Sequence, residues 1–333
     1  MNKVERLQAA VSGKSVDEIP YAFWSHFPGI DSDPVKLADN TYEFYKRYDL
    51  DFIKTMPNGM YAVEDYGCKC DYQDILSGGA AKVMETPIKS YQDWEKIAPL
   101  SVEKGALHRE LLSLDLLLKK LRGEVPVIVT VFSPLTIAQK VCKHQLLEYV
   151  NNGQTELLHQ ALGVIAETVG EYSAKAIELG AAGVFMATQL STFDSLTEEQ
   201  YNVYGVPYDK KALSYAKDGW LNALHIHGNN IMFDLLKDYP VQVINWHVWE
   251  TEPTIKEARK LTSKCLMGGI KRYNITNMDR GALHEDIRKS IEESQKIGHI
   301  LTPGCVIRYP IDEETLTYVK NTKKEIEKSL MFV

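Results

Sequence analysis

The sequence predicts a closed (β/α)₈ barrel (TIM barrel), and three observations carry that prediction. Eight short apolar segments with strand character recur along the 333 residues, each followed by sequence with helical spacing. The first of them is not followed by a G-x-G-x-x-G turn, which weighs against a doubly wound open sheet. No internal repeat and no low-complexity linker is visible, so residues 1–333 read as one domain.

Val4, Leu7 and Val11 have helical spacing that stops at Gly13, so an N-terminal helix is expected over 4–12. Beyond Pro20 the aromatic run 21–27 reads as the first strand, closed by a Pro28–Gly29 turn. Asp31 or Ser32 can cap the following helix, with Pro34 in its first turn and Leu37, Tyr42, Phe44 and Tyr45 on its apolar face. The second strand is 50–56, ended by Pro57, Asn58 and Gly59. A long excursion follows, with an extra strand at 81–85 and a helix near 90–97. A helix over 107–121 leads to the third barrel strand, 125–132, whose β-branched content suits an interior position. Ser133 and Pro134 then start a helix.

An amphipathic helix over 154–179 is stopped by Gly180, and 182–187 is the fourth strand. The run Ser195-Leu196-Thr197-Glu198 matches a capping box. The fifth strand is 220–227 and the sixth 241–246, after which a helix opens at Thr251-Glu252-Pro253. The seventh strand, 265–267, ends in Gly268 and Gly269. A helix over 280–296, the eighth strand at 299–302 and a last helix over 312–330 complete the chain.

Composition narrows the function classes. With 44% hydrophobic residues the chain can bury a large core. A net charge of −7 argues against nucleic acid and anionic membrane surfaces as partners. No apolar run approaches the ~20 residues of a membrane span, and no leader pattern follows Met1, so an unexported protein is expected. Five cysteines, an odd number scattered through the chain, suggest no disulfide framework and point to the reducing cytoplasm.

Barrel chemistry sits at the carboxyl ends of the strands. The fifth strand ends in His225-Ile226-His227-Gly228, and residues two apart in a strand face the same side, so His225 and His227 present two imidazoles to one space. Cys305 follows the eighth strand. Across a barrel of ~15 Å these side chains can converge on one ion. Two imidazoles and a thiolate suit zinc, and three protein ligands leave a fourth position for a reacting group. Other readings stay open. The histidine pair could bind a substrate, Cys305 could be a small buried residue, and Cys68 and Cys70 could chelate or be ordinary thiols. His26 and His247, at strand ends, contact substrate or make ordinary hydrogen bonds. His108, His144, His159 and His284 fall in helical sequence and read as solvated, and Glu64-Asp65 reads as an exposed loop before an acid/base pair.

Over nearly its whole length the sequence also resembles the uroporphyrinogen decarboxylase superfamily, which includes the decarboxylases and the zinc-dependent methylcobamide:thiol methyltransferases of coenzyme M type. The resemblance rests on Phe52-Ile53-Lys54, Glu64-Asp65-Tyr66-Gly67, Ser133-Pro134-Leu135-Thr136, His225-x-His227-Gly228, Asn245-Trp246, Leu266-Met267-Gly268-Gly269 and Gly304-Cys305. It implies a (β/α)₈ barrel and often a homodimer. Family decarboxylases use arginines just after the first strand and an aspartate at the end of the second. Here Arg6 is the only arginine before Arg47, Asn58 stands at the place of the aspartate, and Lys140 stands where a tyrosine is expected. An octa-acid would leave carboxylates unpaired in such a site. The resemblance is therefore closer to the methyltransferase branch, which carries His-x-Cys after the fifth strand and Gly-Cys after the eighth. His225 and Cys305 match that pattern, whereas His227 replaces a cysteine and raises the net charge of the site by one.

On that resemblance, His225, His227 and Cys305 would hold zinc with an acceptor thiol in the open position, and a corrinoid protein or another donor would deliver the methyl group. Arg308 could pair with an anionic group of the acceptor. Asn58, His26 and His247 are the candidate catalytic residues, and Trp24, Gln189 and Trp246 would line the substrate pocket. Two alternatives remain: a metal-free decarboxylase of uroporphyrinogen or a smaller acid, and a non-catalytic barrel that binds a corrinoid or porphyrin.

Overall fold

The computed structural model describes residues 1–143 and 145–329. Among them are nine strands: β1 (Ile53–Lys54), β2 (Lys69–Asp71), β3 (Lys82–Glu85), β4 (Val127–Phe132), β5 (Gly183–Thr188), β6 (Ala223–Ile226), β7 (Val243–Trp246), β8 (Cys265–Ile270) and β9 (His299–Pro303). Seven of them form one parallel sheet in the order β1-β4-β5-β6-β7-β8-β9, while β2 and β3 pair antiparallel in the excursion. Helices follow the strands and pack outside, so the architecture is the expected α/β barrel.

The first predicted strand is the main correction. Residues 21–27 form no regular ladder; the segment instead bridges the two ends of the sheet. On one side Ala22 N–H donates to Leu301 O (3.2 Å) and Leu301 N–H to Pro20 O (2.9 Å); on the other Asp51 N–H donates to Tyr21 O (3.0 Å). Tyr21 N–H is taken by the Asp51 carboxylate at 2.9 Å instead of a neighbouring carbonyl. Closure here is by an irregular eighth stave, because the segment makes single bridges at Tyr21 and Ser25 with no continuous ladder.

Other boundaries move for local reasons. The helix Pro34–Tyr48 is capped by Asp33, whose carboxylate accepts from Val35 and Lys36 N–H, and not by Asp31 or Ser32. The capping box expected at Ser195 lies at Thr197 with Gln200, and the helix predicted to open at Thr251 starts at Ile255 behind a Thr254/Glu257 box. Residues Tyr91–Lys96 are 3₁₀ helix. The fifth and sixth predicted strands are shortened to Ala223–Ile226 and Val243–Trp246, and the seventh is lengthened to Ile270. The last helix is described as Glu313–Ser329; its predicted end at Leu330, like His144, lies outside the described residues.

Inside the barrel, Trp24, Phe52, Ile128, Phe185, Ala223, Val243, Met267 and Ile300 form a cluster separate from the larger layer between sheet and helices. The N-terminal helix Lys3–Val11 carries Arg6, whose guanidinium binds Asp17 (2.8 Å) and Asp51 (2.6 Å). Arg6 is therefore committed to joining that helix to the barrel and is not free to meet a substrate. Among the described residues no helix is long and apolar enough to cross a membrane.

Candidate functional site

Strand parity brings the histidines together. Ala223 faces the barrel interior and Leu224 and Ile226 the helix layer, so His225 and His227 point inward at the carboxyl end of β6. His227 N–H is held by Thr188 O at 3.1 Å, which fixes the backbone just beyond the strand, and Gly228 then takes a φ of +101° to turn the chain. The third predicted donor arrives from β9. Gly304 passes so close to β7 that a Cβ there would lie 2.7 Å from His247 Cα, so only glycine lets Cys305 come alongside.

The result is a cluster of four donors. One ligating atom each from His225, His227, His247 and Cys305 lies within 4.8 Å of all the others. His225 Nε2 is 3.2 Å from His227 Nδ1, and Cys305 Sγ is 3.7 Å from that same Nδ1. His247, expected as a catalytic residue or substrate contact, joins the donors: its ring is 4.8 Å from that of His227, and its buried Nε2 has no hydrogen-bond partner among the described residues.

Buried Asn245 orients the cluster. Its amide N–H₂ donates to Met267 O at 2.9 Å, so Oδ1 must be the atom 2.6 Å from His225 Nδ1. Nδ1 therefore carries the proton, and Nε2 turns its lone pair to the cluster, as a metal-ligating imidazole requires. Phe185 stacks on the same ring at 5.3 Å. Burial chiefly pushes the His225 pKa down to about 4, so the ring is neutral at pH 7. Burial opposes ionisation of Cys305, but the surrounding rings of His225, His227 and His247 outweigh it and hold the thiol well below its usual range. Three imidazoles, one of them with a buried Nε2 that has no partner among the described residues, and a readily ionised thiol form a donor set that fits a borderline-soft ion such as zinc, and not magnesium or calcium.

The cluster opens onto a cavity of about 340 Å³. Trp24, His26, Gln189 and Arg308 line it, together with His225, His227 and Cys305. Burial chiefly, and then the charge of Lys54, lower the His26 pKa to about 4, and its Nδ1 has no partner among the described residues.

Two predicted residues are placed elsewhere. Asn58 does not line the cavity: its Oδ1 accepts from Met60 N–H (3.0 Å) and its amide donates to Glu64 (2.9 Å), shaping the turn after β1. Nor does Trp246, whose Nε1 donates to Pro253 O (2.9 Å) while its ring packs on Phe233 in the helix layer.

The remaining polar candidates have structural partners. Glu64 is partly buried in an ion pair with Arg109 (2.9 Å), and Asp65 caps the helix Gly105–Leu121 through Ala106 and Leu107 N–H. Burial raises the pKa values of the Cys68 and Cys70 thiols, and neither belongs to the donor cluster. His108 and His284 are exposed or partly exposed as expected, whereas His159 is partly buried, stacked on Tyr204 and bonded to Tyr208 Oη at 2.7 Å.

Lys54, Lys140 and Arg272 also line the cavity; the family resemblance marks the positions of Lys54 and Lys140, but sequence reasoning names none of the three as a cavity residue in advance. For Lys54 a signal exists: it is a lone lysine in an apolar strand, in phase with Phe52 and Met56, which face the barrel interior.

Similarity to known proteins identifies the family and the fold. The family model for uroporphyrinogen decarboxylase (URO-D) matches residues 2–326. A uroporphyrinogen decarboxylase of Trichodesmium erythraeum is 26% identical over 276 residues, covering 78% of this chain and 74% of that protein. The methylcobamide:CoM methyltransferase MtbA of Methanosarcina acetivorans is 22% identical over 323 residues, covering 91% and 92%. Among solved structures, a methyltransferase from Methanosarcina mazei superposes with a TM-score of 0.86 at 18% identity, covering 98% of this chain and 99% of that one. A B12-independent methionine synthase from Shewanella reaches a TM-score of 0.60 at 11% identity, covering 97% and 99%. With the family model spanning nearly its whole length and the barrel shared, this chain belongs to the uroporphyrinogen decarboxylase (URO-D) family.

Proposed function

We propose that this protein is a zinc-dependent methyltransferase that moves a methyl group from a corrinoid-borne or similar donor to a small-molecule thiol. The observation that carries the reading is the convergence of His225, His227, His247 and Cys305, the first two and the last of which line the cavity. The relatives named for methylcobamide:CoM methyl transfer support the choice of branch. His225, His227 and Cys305 would hold the ion, with His247 as a fourth donor. Bound there, zinc supplies the Lewis acidity that makes a thiol ionise near neutral pH.

The chain's own residues do the rest. Asn245 keeps the His225 tautomer that leaves Nε2 free to ligate. Trp24, Phe132 and Phe185 wall the cavity with apolar surface and exclude water from the reacting thiol. Neutral His26 and the Gln189 amide offer hydrogen bonds without adding charge, and Arg308 meets an anionic group of the acceptor. The protein is read as a single-domain cytoplasmic homodimer over 1–333, with a corrinoid protein as the partner that brings the donor.

A second reading, decarboxylation of a carboxylic acid, is favoured by the cationic lining of the same cavity. The test is metal analysis of protein purified without chelator, followed by turnover with methylcobalamin and thiols. We expect about one zinc per chain, lost in Cys305→Ala, and thiol-dependent demethylation of the cobalamin. Protein that holds no zinc under those conditions overturns the methyltransferase reading.

A further inference from the structure

The chain is acidic, with 45 aspartates and glutamates against 38 lysines and arginines, yet no carboxylate among the described residues lines the cavity. Four cationic side chains do: Lys54, Lys140, Arg272 and Arg308. Their contacts are with neutral groups. Lys54 Nζ lies 2.8 Å from Thr130 Oγ1 and 3.0 Å from Met56 Sδ, with its charge 4.6 Å from the centre of the Phe185 ring. Lys140 Nζ donates to Gly59 O at 2.9 Å and sits 4.0 Å above Phe132. Arg308 donates to Gly79 O at 2.8 Å, and Arg272 to Tyr273 Oη at 3.0 Å. Each guanidinium keeps further N–H donors beyond the one it uses. Arg272 is only 8% exposed, and its Nε has no partner among the described residues. Glu250 forms no ion pair with Arg272 among the described residues; its carboxylate lies 3.7 Å from His247 Nδ1.

Lys54 and Arg272 are buried and Lys140 and Arg308 half-buried, none in an ion pair among the described residues; cations so placed are costly, and four of them around one cavity point to an anionic ligand. The Cys305 thiolate offsets one charge at most, and a bound divalent metal would more than cancel that offset. The cations are also spread around the rim: Lys54 is on β1, Lys140 on the helix after β4, Arg272 just beyond β8 and Arg308 beyond β9. Their placement on four different elements suits separated anionic groups better than one compact anion. At about 340 Å³ the cavity is at the lower end of small-molecule sites, which span roughly 300–1,000 Å³. That volume suits a short di- or triacid better than a tetrapyrrole.

We propose that the methyl acceptor is a small thiol carrying two or more separated carboxylate-type groups, bound by Lys54, Lys140, Arg272 and Arg308. The thiol half rests on the methyltransferase reading; the anion half rests on the cavity alone. The test is calorimetric titration of the protein, with its metal content measured, using mercaptosuccinate, 3-mercaptopropionate, 2-mercaptoethanol, succinate and inorganic phosphate. Mercaptosuccinate is expected to bind roughly tenfold or more tightly than 3-mercaptopropionate, with 2-mercaptoethanol weaker still and succinate ahead of phosphate. The advantage of the diacid should shrink with added salt and in Arg308→Gln and Lys140→Met. Because Arg308 is at the rim, its variant carries the test if a change at buried Lys54 prevents folding. Equal affinity for mercaptosuccinate and 2-mercaptoethanol, or phosphate equal to succinate, would overturn the proposal. Succinate binding as tightly as mercaptosuccinate would remove the thiol half, and the methyl-transfer reading with it, while leaving the anion site standing.

Discussion

Replacing Asn245 by alanine separates an orienting residue from a mere packing residue. The wild-type amide is fully buried and makes two bonds, one at 2.6 Å to His225 Nδ1 and one at 2.9 Å to Met267 O. Alanine leaves both partners buried and unpaired, at about 1–3 kcal/mol each. The His225 ring is then free to rotate or to change tautomer, and loss of such an outer partner typically costs roughly 10–100-fold in metal affinity. Asn245→Asp sharpens the test, because a carboxylate still accepts the Nδ1 proton but cannot donate to Met267 O. Competition for zinc against a chromophoric chelator, with the thermal midpoint of the metal-free protein measured alongside, reads the two effects separately. The alanine variant should lose both affinity and stability, and the aspartate variant should recover affinity but not stability. A folded Asn245→Ala protein that binds zinc within about twofold of wild type would refute the orienting role.

Within the donor cluster, Cys305→Ala should abolish tight zinc binding, whereas His247→Ala should weaken it and leave a measurable site, because the thiolate, the one anionic donor, remains; cobalt(II) absorption in the thiolate charge-transfer region checks both. Burial pushes the Lys54 pKa down to about 7, below its value in the unfolded chain, so charged Lys54 destabilises the fold at acidic pH and the penalty fades as pH rises from 7 towards 10. Lys54→Met should therefore raise unfolding free energy at pH 6 by a few kcal/mol at most, on the order of the linkage term, with a gain that disappears by about pH 10 in denaturant titrations. Asp209 runs the other way. Burial raises its pKa to about 7 despite hydrogen bonds from Tyr201 (2.8 Å) and Tyr239 (3.0 Å), so its penalty appears as pH rises from 4 through 7. Asp209→Asn should be more stable than wild type at pH 8 and indistinguishable from it near pH 4.

Strand-end position and two-residue parity make His225, His227 and Cys305 legible from the amino-acid sequence. The same parity, applied one strand further, sorts Asn245 and His247 inward and Trp246 outward, since Val243 faces the interior and Ile244 the helix layer. Trp246 suggests a pocket residue because it is aromatic and at a strand end, and its register overrules both features. His247 is harder to read as a donor. Its place in the cluster depends on Gly304 passing against its Cα, a contact between strands far apart in sequence that no local pattern encodes. Lys140 and Arg272 sit on helices that begin just after strands, where residues face cavity or solvent according to helix tilt, and neither has a periodic signal. The first stave is legible as extended chain but not as an irregular one, because the Asp51 carboxylate that replaces a ladder carbonyl comes from another segment.

The two reactions represented among the relatives make different demands on one cavity, and Cys305 tells them apart. Decarboxylation needs cations against the carboxylates of the substrate, which Lys54, Lys140, Arg272 and Arg308 would supply, and it has no use for a thiolate among three imidazoles. Methyl transfer needs the donor cluster and uses the cations only to hold the acceptor. Cys305→Ala removes the one thiol of the donor cluster, which burial disfavours as a thiolate and the three imidazoles favour, while leaving all four cations in place. If the protein transfers methyl groups, this variant should retain binding of a dicarboxylate such as succinate and lose thiol-dependent demethylation of methylcobalamin. If it decarboxylates, the variant should keep its turnover, and Arg308→Gln or Lys140→Met should lose it. Retained methyl transfer in a Cys305→Ala protein shown to be free of zinc would refute activation of the thiol by the donor cluster, because some other group would then be ionising it.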